Sequence, residues 1–301
     1  MAFERPRFVF RDDIFRRRPP RTAAVRFAGL WVAGSLDGLE RPTVAVVGPR
    51  APSAGGLTRA REVAEGLSRA GVCVISGLAL GIDGMAHTGA LAGPTPTVGI
   101  LGGGHRCFFP KRNRELAETM IARGGAVLSP YAPDEPARPP QFIQRNGVVA
   151  ALADAVVVVE AALRSGALNT ASWAASLGID VLAFPGDVDR TVAAGCNALI
   201  RDGATLVRDH DDVLEALGLA RAPEARAQTS AVAREAPTEP LAIRVLDIVA
   251  REPHDADALV AFTGANIGDV LATLTRLEID GRIERHDMLR YAAVRRRSPP
   301  A

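Results

Sequence analysis

Short apolar runs alternate with amphipathic segments through residues 43–219 of the chain. The runs are nearly continuous in Val, Ile, Leu and Ala, which is typical of strands in a parallel sheet covered by helices on both faces. The segment after the first run predicts a helix, because Ala60, Val63 and Leu67 recur at spacings of three and four residues. We therefore predict an α/β fold, an extended Rossmann-like, doubly wound and mostly parallel sheet. The predicted strands are 44–47, 72–75, 97–101, 127–128, 155–159, 181–184 and 205–207.

Three further segments flank this predicted domain. Residues 1–42 show little apolar periodicity apart from residues 27–32, so we expect an N-terminal arm that is partly irregular. Residues 220–239 are rich in Ala, Arg, Pro, Glu, Gln, Thr and Ser and predict a linker. Residues 240–295 predict three helices followed by a short hairpin, which is a small C-terminal winged-helix domain.

Composition narrows the class of protein only slightly. The 301 residues carry 36 basic and 34 acidic side chains, and a net charge of +2 does not establish a polyanionic partner, although basic residues can still cluster locally. Three cysteines without a C-x-x-C pair argue against a disulfide framework and a zinc site, and favour a reducing cytoplasm. No apolar run approaches the roughly 18 residues that span a bilayer, so we expect no membrane association.

Gly, Ser and Asn motifs directly follow most of the predicted strands. Because the carboxyl ends of parallel strands lie along one edge of an open sheet, these motifs should converge on a single crevice. The motifs are residues 48–50, 76–83, 102–104, 142–146, 165–166, 185–187 and 195–197.

The first of these turns has the chemistry of an anion site. Gly48 ends a predicted strand, and Arg50 and Ser53 precede the helix that starts near Leu57. Backbone N–H groups at a helix N-terminus and an adjacent guanidinium can both bind phosphate. The segment matches neither G-x-G-x-x-G nor G-x-x-x-x-G-K-[ST], so it does not indicate a dinucleotide or nucleoside triphosphate. A tight turn with a solvated Arg is the alternative.

Aromatic and basic side chains are adjacent at residues 108–114, which include Phe108, Phe109 and Lys111, the only lysine of the chain. Stacking rings next to phosphate-binding cations are what single-stranded nucleic acid requires, because every base offers a π-face. We expect at least one of the two Phe side chains to lie in the core. Phe142 also has an Arg and an Asn close by in one turn.

Other polar residues have ordinary structural interpretations. Ser165 and Thr170 are as suited to capping and packing as to ligand contact. His87 has no nucleophile in register, and we expect a structural hydrogen bond for it. Glu160 and Asp187 could form an acid–base or Mg²⁺ pair, but such carboxylates more often accept bonds from backbone N–H groups or an Arg.

The ordered motifs over residues 43–217 resemble the DNA-processing protein A (DprA, or Smf) family. They are Gly48-x-Arg50, Ser76-Gly-x-Ala-x-Gly-Ile-Asp83-x-x-Ala86-His87, Leu101-Gly-Gly-Gly104, Phe109-Pro110-x-x-Asn113, Phe142-x-x-Arg145-Asn146, Val159-Glu160-Ala161, Arg164-Ser165-Gly166-x-Leu168-x-Thr170-Ala171, Pro185-Gly186-Asp187 and Gly195-x-Asn197. The resemblance implies a Rossmann-like domain that binds single-stranded DNA and forms a homodimer. It also implies that the protein protects incoming DNA and helps to load the RecA recombinase in natural transformation and recombination, without being an enzyme or holding a cofactor.

The resemblance assigns roles to individual residues. It implies that Arg50 and Lys111 contact phosphates and that Phe142 stacks on or wedges between bases. The complete predicted DNA-binding set is Arg50, Ser53, Lys111, Asn113, Phe142, Arg145, Asn146, Ser165, Gly166, Thr170 and Asn197. Three positions depart from the family pattern, since Pro49 replaces Thr or Ser, Ile143 replaces Pro, and Gly147 replaces an Arg. The N-terminal helical domain common in the family is expected to be absent or reduced to residues 1–42.

Two rival functions remain open at this point. One is a nucleotide-binding Rossmann enzyme of the phosphoribohydrolase type, although the P-G-G-x-G-T signature of that group is missing. The other is a transcription regulator that acts through the winged helix. Asp269, Glu278 and Asp280 make the third helix of that module too acidic for a typical major-groove reader. We expect a protein contact or weak duplex binding for this module instead.

Overall fold

A computed structural model describes the chain at residues 3, 5–14, 27–219, 240–280, 282–285 and 290–293. The fold divides into two compact units, Met1–Pro223 and Glu224–Ala301. The linker that we predicted at residues 220–239 lies outside the described residues.

Within the described residues, the first unit is built on a nine-stranded sheet with the order β1-β2-β6-β5-β4-β3-β7-β8-β9. The strands are β1 (Arg7–Phe10), β2 (Gly29–Gly34), β3 (Thr43–Val47), β4 (Cys73–Ser76), β5 (Val98–Ile100), β6 (Ala126–Ser129), β7 (Ala155–Val158), β8 (Asp180–Ala183) and β9 (Thr205–Leu206). Strands β3 to β9 are mutually parallel, whereas β1 and β2 pair antiparallel at one side. The prediction of a doubly wound, mostly parallel sheet is confirmed.

Helices cover both faces of this sheet. They are α1 (Arg11–Ile14), α2 (Ala54–Arg69), α3 (Ile82–Leu91), α4 (Arg114–Ala122), α5 (Pro139–Ala151), α6 (Gly166–Ser176), α7 (Ala194–Arg201) and α8 (His210–Ala216), with 3-10 turns at Asp37–Glu40 and Lys111–Asn113. Side chains of β3 alternate between the two faces: Val44 and Val46 pack in the core with α2 and α3, and Ala45 and Val47 pack in the core with α5 and α6. This burial on both sides explains why the strand is continuously apolar.

The N-terminal segment is more ordered than its sequence predicts. We expected residues 1–42 to form a partly irregular arm with one ordered piece near residues 27–32. Instead β1 and β2 extend the sheet, and Trp31 of β2 pairs with Ser129 of β6. Leu30 and Val32 are fully buried there. Strand β2 joins the rest of the sheet through β6, which lies about a hundred residues further along the chain, so no local pattern predicts its place.

Strand β3 marks the point where the order of the sheet reverses. From β3 the chain adds β4, β5 and β6 on one side, and it then returns to place β7 on the other side of β3. In open α/β sheets, ligands bind beyond the carboxyl ends of the strands at such a reversal. The fold therefore places a candidate site between the loops that follow β3 and β7.

The second unit contains α9 (Pro240–Arg251), β10 (His254–Asp255), α10 (Ala256–Thr263), α11 (Ile267–Ile279), β11 (Ile283–Arg285) and β12 (Arg290–Ala293). Val245, Leu259, Val270 and Leu274 form its buried core. The three helices and the hairpin match the predicted winged-helix domain. Among the described residues, no helix taken alone has the length and apolarity to cross a membrane, although α10 and α11 together meet the criterion across a bend of 114°.

Candidate functional site

A crevice of about 450 Å³ opens beyond the carboxyl ends of β3, β4 and β7, at the reversal of strand order. Its volume lies within the range of about 300–1,000 Å³ that is usual for ligand sites. Four of the seven turn motifs that we expected to converge line this crevice, namely residues 48–50, 76–83, 142–146 and 165–166, whereas motifs 102–104, 185–187 and 195–197 are not part of its lining. Seven predicted site residues line the crevice: Arg50, Phe142, Arg145, Asn146, Ser165, Gly166 and Thr170.

Helix α5 supplies three of these side chains from one face. Phe142, Arg145 and Asn146 stand at positions i, i+3 and i+4, which neighbour one another on a helix. The helix begins with two prolines, and the backbone N–H of Arg138 donates to Oε1 of Gln141 at 2.6 Å. These features fix the first turn of α5 and therefore the position of the three side chains that it directs to the crevice.

Arg50 and Phe142 are in direct contact across the crevice. The guanidinium carbon of exposed Arg50 lies 5.1 Å from the centroid of the Phe142 ring, which is a cation–π geometry. The ring of partly buried Phe142 also packs against the backbone of Gly102, where an added Cβ would lie 2.6 Å from the ring. The loop after β5 can approach the ring this closely because it carries glycine at that position.

Arg145 is a buried cation in the floor of the crevice. Its side chain is 4% exposed, its Nη1 donates to the carbonyl of Ile100 at 2.9 Å, and its Nε has no hydrogen-bond partner among the described residues. A Cβ at position 77 would lie 1.5 Å from Nη1, so the guanidinium requires Gly77. The charged partner is Asp83: burial raises the pKa of Asp83 and lowers that of Arg145, and each charge opposes the shift of the other.

The N-terminus of α6 forms the opposite wall. The Ser165 side chain caps the helix by accepting from the N–H of Ala167 at 3.3 Å. Asn146 Nδ2 donates to the carbonyl of Gly166 at 3.3 Å, which ties α5 to this wall. The free N–H groups and dipole at the start of an 11-residue helix favour an anion in front of it. Arg50, Arg145 and this helix end therefore make three sides of the crevice electropositive.

Ser53 and Asn197 are not among the residues that line the crevice. Both the N–H and the hydroxyl of Ser53 donate to the buried carboxylate of Glu160, and Ser53 also caps α2 through the N–H of Gly56. Asn197 exchanges two hydrogen bonds with the backbone of Gly186, at 2.9 and 3.1 Å. These hydrogen bonds fix the loops after β3 and β8. Glu160 accepts bonds from Ser53, which is the structural role that we expected for this carboxylate.

Asn113 is likewise turned towards the protein. Its Nδ2 donates to the carbonyls of Leu78 and Ala79 at 3.0 and 2.9 Å. Leu78 has a positive φ of 57°, which is a strained conformation for a Leu side chain. Asn113 thus stabilises the turn after β4, and it does not line the crevice. Lys111 precedes it in the exposed 3-10 turn, beside a smaller cavity whose lining includes Phe109.

Exposed cations without an acidic partner lie on the loops at this edge of the sheet. They are Arg50, Lys111, Arg112, Arg138 and Arg164, none of which forms an ion pair within the described part of the chain. By contrast, Arg69, Arg106 and Arg208 are paired with carboxylates.

Of these five cations, Arg50 lines the crevice itself. Arg138 and Arg164 directly precede residues that line it, and Lys111 directly follows Pro110, which lines the smaller cavity. Arg112 belongs to the segment 108–114 that we expected to bind phosphates, whereas Arg138 and Arg164 were not predicted as contacts.

His87 has the structural hydrogen bond that was expected. Its Nδ1 donates to Thr97 Oγ1 at 2.8 Å, because Thr97 itself donates to the carbonyl of Val74. Burial lowers the pKa of His87 to about 3, with a smaller contribution from the Arg145 charge. His87 is therefore a neutral core residue at physiological pH and does not face the crevice.

Comparison with known proteins identifies relatives of both units. The family model described as DNA recombination-mediator protein A matches residues 21–218, and the DprA winged helix domain matches residues 229–287. A putative DNA processing protein DprA from Mycobacterium tuberculosis is 39% identical over 270 residues, covering 86% of this chain and 67% of that protein. Protein Smf of Escherichia coli is 36% identical over 256 residues, covering 84% and 68%.

Solved structures agree with this relationship. DprA from Streptococcus pneumoniae superposes with a TM-score of 0.64 at 36% identity, over 71% of this chain and 75% of that chain. DNA processing protein A from Helicobacter pylori superposes with a TM-score of 0.62 at 24% identity, over 72% and 98%, which shows the common fold. With the two family models covering most of its length, the chain belongs to the DNA-processing protein A family, and this membership supports a role in DNA processing.

Proposed function

We propose that this chain binds single-stranded DNA in the crevice and along the carboxyl edge of the sheet. The observation that carries the proposal is a crevice lined by Arg50 and Phe142, with four more exposed cations on the neighbouring loops; none of the five cations forms an ion pair within the described residues. A polyanion releases its counterions when such cations replace them, and aromatic side chains bind bases of any sequence by stacking. The net charge of +2 conceals this local concentration of positive charge.

A single strand fits this arrangement better than a duplex does. The stacked bases of a duplex cannot offer their faces to a ring set among loops, whereas unpaired bases can turn into the crevice. The relative from Helicobacter pylori supports the proposal, because its structure is described as revealing a unique single-stranded DNA binding mode.

We propose binding without catalysis at this site. Asp83 is the carboxylate among the residues that line the crevice, and it is buried beside the Arg145 guanidinium. Burial and the Arg145 partner give the Asp83 carboxylate a structural role in the floor of the crevice. A general base must be able to reach the bound substrate, and for this reason we do not assign Asp83 that role.

The wider role that we propose rests on the family resemblance. In this proposal a homodimer in the cytoplasm protects incoming single strands and passes them to the RecA recombinase during natural transformation and recombination. The winged-helix unit would contact protein or bind duplex weakly, because Asp269 and Glu278 lie on α11.

A titration by fluorescence anisotropy tests the binding proposal. We expect labelled oligo-dT to bind, with an affinity that falls as salt increases by a slope of about −0.7 per phosphate contacted. A matched duplex and thymidine monophosphate should bind more weakly. Equal affinity for duplex and single strand, or a flat salt response, would overturn the proposal. Tight binding of the mononucleotide without binding of oligo-dT would favour the rival nucleotide-binding enzyme.

The hand-over to RecA and the dimer need separate measurements. We expect the wild-type chain to accelerate RecA filament assembly on oligo-dT, and an Arg50→Ala variant to do so less because it holds less DNA. Sedimentation equilibrium should give twice the mass of the 31.6 kDa chain. A monomer at all concentrations would refute the dimer without affecting the binding proposal.

A further inference from the structure

We propose that Phe109 is a second base-stacking platform, so that successive bases of one strand stack on Phe142 and on Phe109. This inference rests on the proposed function and extends it, because it adds a contact residue outside the predicted set. The two rings both line the smaller cavity beside the crevice, with centroids 6.0 Å apart and planes tilted by 59°.

The adjacent residues Phe108 and Phe109 differ in their environment. Phe108 is 4% exposed and packs in the core with Phe3 at 5.2 Å between ring centroids. Phe109 points the other way and is 51% exposed. Burying a Phe side chain contributes about 1.5–3 kcal/mol of hydrophobic stabilisation, much of which an exposed ring does not provide. The exposure of Phe109 therefore has no explanation in the stability of the core.

The surroundings of the two rings show which face is open. Phe142 is only partly exposed, since it packs on Gly102 and has the Arg50 guanidinium over it at 5.1 Å. Phe109 touches the side of Phe142 and otherwise borders a small cavity of about 50 Å³. A base can therefore reach the face of Phe109 without displacing the Arg50 side chain.

The charge next to Phe109 suits a nucleic-acid strand. Lys111 and Arg112 follow it by two and three residues, are exposed, and form no ion pair within the described residues. Arg50 lines the same small cavity. A base on Phe109 would thus have cations on both sides of the ring for the phosphates that flank it. The 59° tilt between the rings would hold neighbouring bases apart from each other, as a single strand permits.

Substitution of Phe109 by Ala tests the inference. We expect affinity for oligo-dT to fall by about 5- to 150-fold, the range found when one base–aromatic stack is removed. The salt slope and the melting temperature should stay at wild-type values, because neither a phosphate contact nor a core residue is lost. The matched control is Phe10→Ala, since Phe10 is also an exposed ring next to another Phe, on the edge strand β1 and outside the lining of the crevice and of the smaller cavity. Wild-type affinity in Phe109→Ala would overturn the inference.

A double substitution separates a direct role from an indirect one. If Phe109 only supports Phe142, then Phe109→Ala should have no further effect in a Phe142→Ala background, and that result would refute a second platform. If each ring holds its own base, the loss should persist in the double variant. As an independent readout, the fluorescence of 2-aminopurine in the oligonucleotide should be quenched on binding, and less so in Phe109→Ala. Failure of the wild-type chain to bind oligo-dT would instead refute the proposed function.

Discussion

The guanidinium of Arg50 lies over the ring of Phe142, although the two residues are 92 positions apart in the chain. The contact joins the turn after β3 to helix α5. Each partner therefore limits the mobility of the other, and substitutions at the two positions should not be additive. A double-mutant cycle should give a coupling of about 0.5–1 kcal/mol in protein stability, as for other exposed cation–π pairs.

Arg50→Ala should weaken binding of oligo-dT and reduce the salt slope by about 0.7, because one phosphate contact is lost. The matched control is Arg61→Ala, which removes the same charge from an exposed, unpaired position on α2. We expect the control to retain the wild-type slope. Equal slopes in the two variants would mean that Arg50 does not contact phosphate.

Phe142→Ala should reduce affinity for single strands by about 1–3 kcal/mol and leave the salt slope unchanged. Its effect on stability should be smaller than the roughly 3–5 kcal/mol of a fully buried Phe, because the ring is partly exposed. Melting temperature and oligo-dT affinity are measured on the same variant. A protein that melts early and binds normally would show that Phe142 has only a packing role.

Gly166→Ala should separate binding from stability. A Cβ at this position meets no atom within 4 Å, and residue 166 is the first of helix α6. Replacing Gly with Ala in a compatible helical position commonly stabilises a protein by about 0.4–1 kcal/mol. The same methyl group would project at the helix N-terminus where we place a phosphate, so oligo-dT affinity should fall. Gly55→Ala, at the start of α2, is the control and should bind as wild type. Unchanged affinity in Gly166→Ala would move the phosphate away from this helix end.

Arg145→Met should lower the free energy of unfolding by about 3–5 kcal/mol, because it leaves the Asp83 carboxylate buried without its cation. The double variant Arg145→Met with Asp83→Leu removes both charges and should recover part of that loss. Urea denaturation followed by tryptophan fluorescence measures both, since Trp31 and Trp173 lie in the first unit. A double variant less stable than Arg145→Met would contradict the pairing.

Acidification should destabilise the first unit through His87. The unfolded chain binds a proton there below pH 6.5, whereas in the folded chain the pKa is about 3. Between these values the unfolded state binds more protons, so stability falls as the pH is lowered, by up to about 1.4 kcal/mol per pH unit. Burial lowers the pKa of His105 in the same sense, and the raised pKa of Asp83 acts in the opposite sense. His87→Gln should show a shallower dependence than wild type. Equal pH slopes would exclude His87 as a cause.

The sequence predicts the central sheet well because every residue of β3 to β7 is buried. Strand β3 was expected at residues 44–47 and is found at Thr43–Val47. Residues 142–146 were expected in a turn before a helix, but they belong to α5, whose spacing places Phe142 and Arg145 on one face. The two N-terminal strands were not predicted, because β2 joins the rest of the sheet through the distant strand β6.

Side-chain direction at the turns was the least predictable part of the site. Ser53 turns to Glu160, which is 107 residues further along the chain, and Asn113 turns to the carbonyl of Leu78. No local sequence pattern indicates these distant hydrogen-bond partners. Composition alone does not show whether a polar side chain in a Gly-rich turn forms hydrogen bonds with nearby backbone groups or with a ligand. The orientation of Phe109 away from the core was equally hidden, because adjacent residues of one type were indistinguishable in the sequence.

Because β3 lies between β4 and β7, the crevice is completed only after a long stretch of the chain has been synthesised. The backbone N–H of Thr43, at the start of β3, donates to the carboxylate of Asp154, 111 residues later in the chain, at 2.8 Å. Such distant pairings form late in folding, because a long loop must first be closed. A nascent chain that ends before α6 has the Arg50 turn but not the wall that faces it. Both walls of the crevice are therefore present only after α6 has been synthesised, and we expect a shorter nascent chain not to hold single-stranded DNA there.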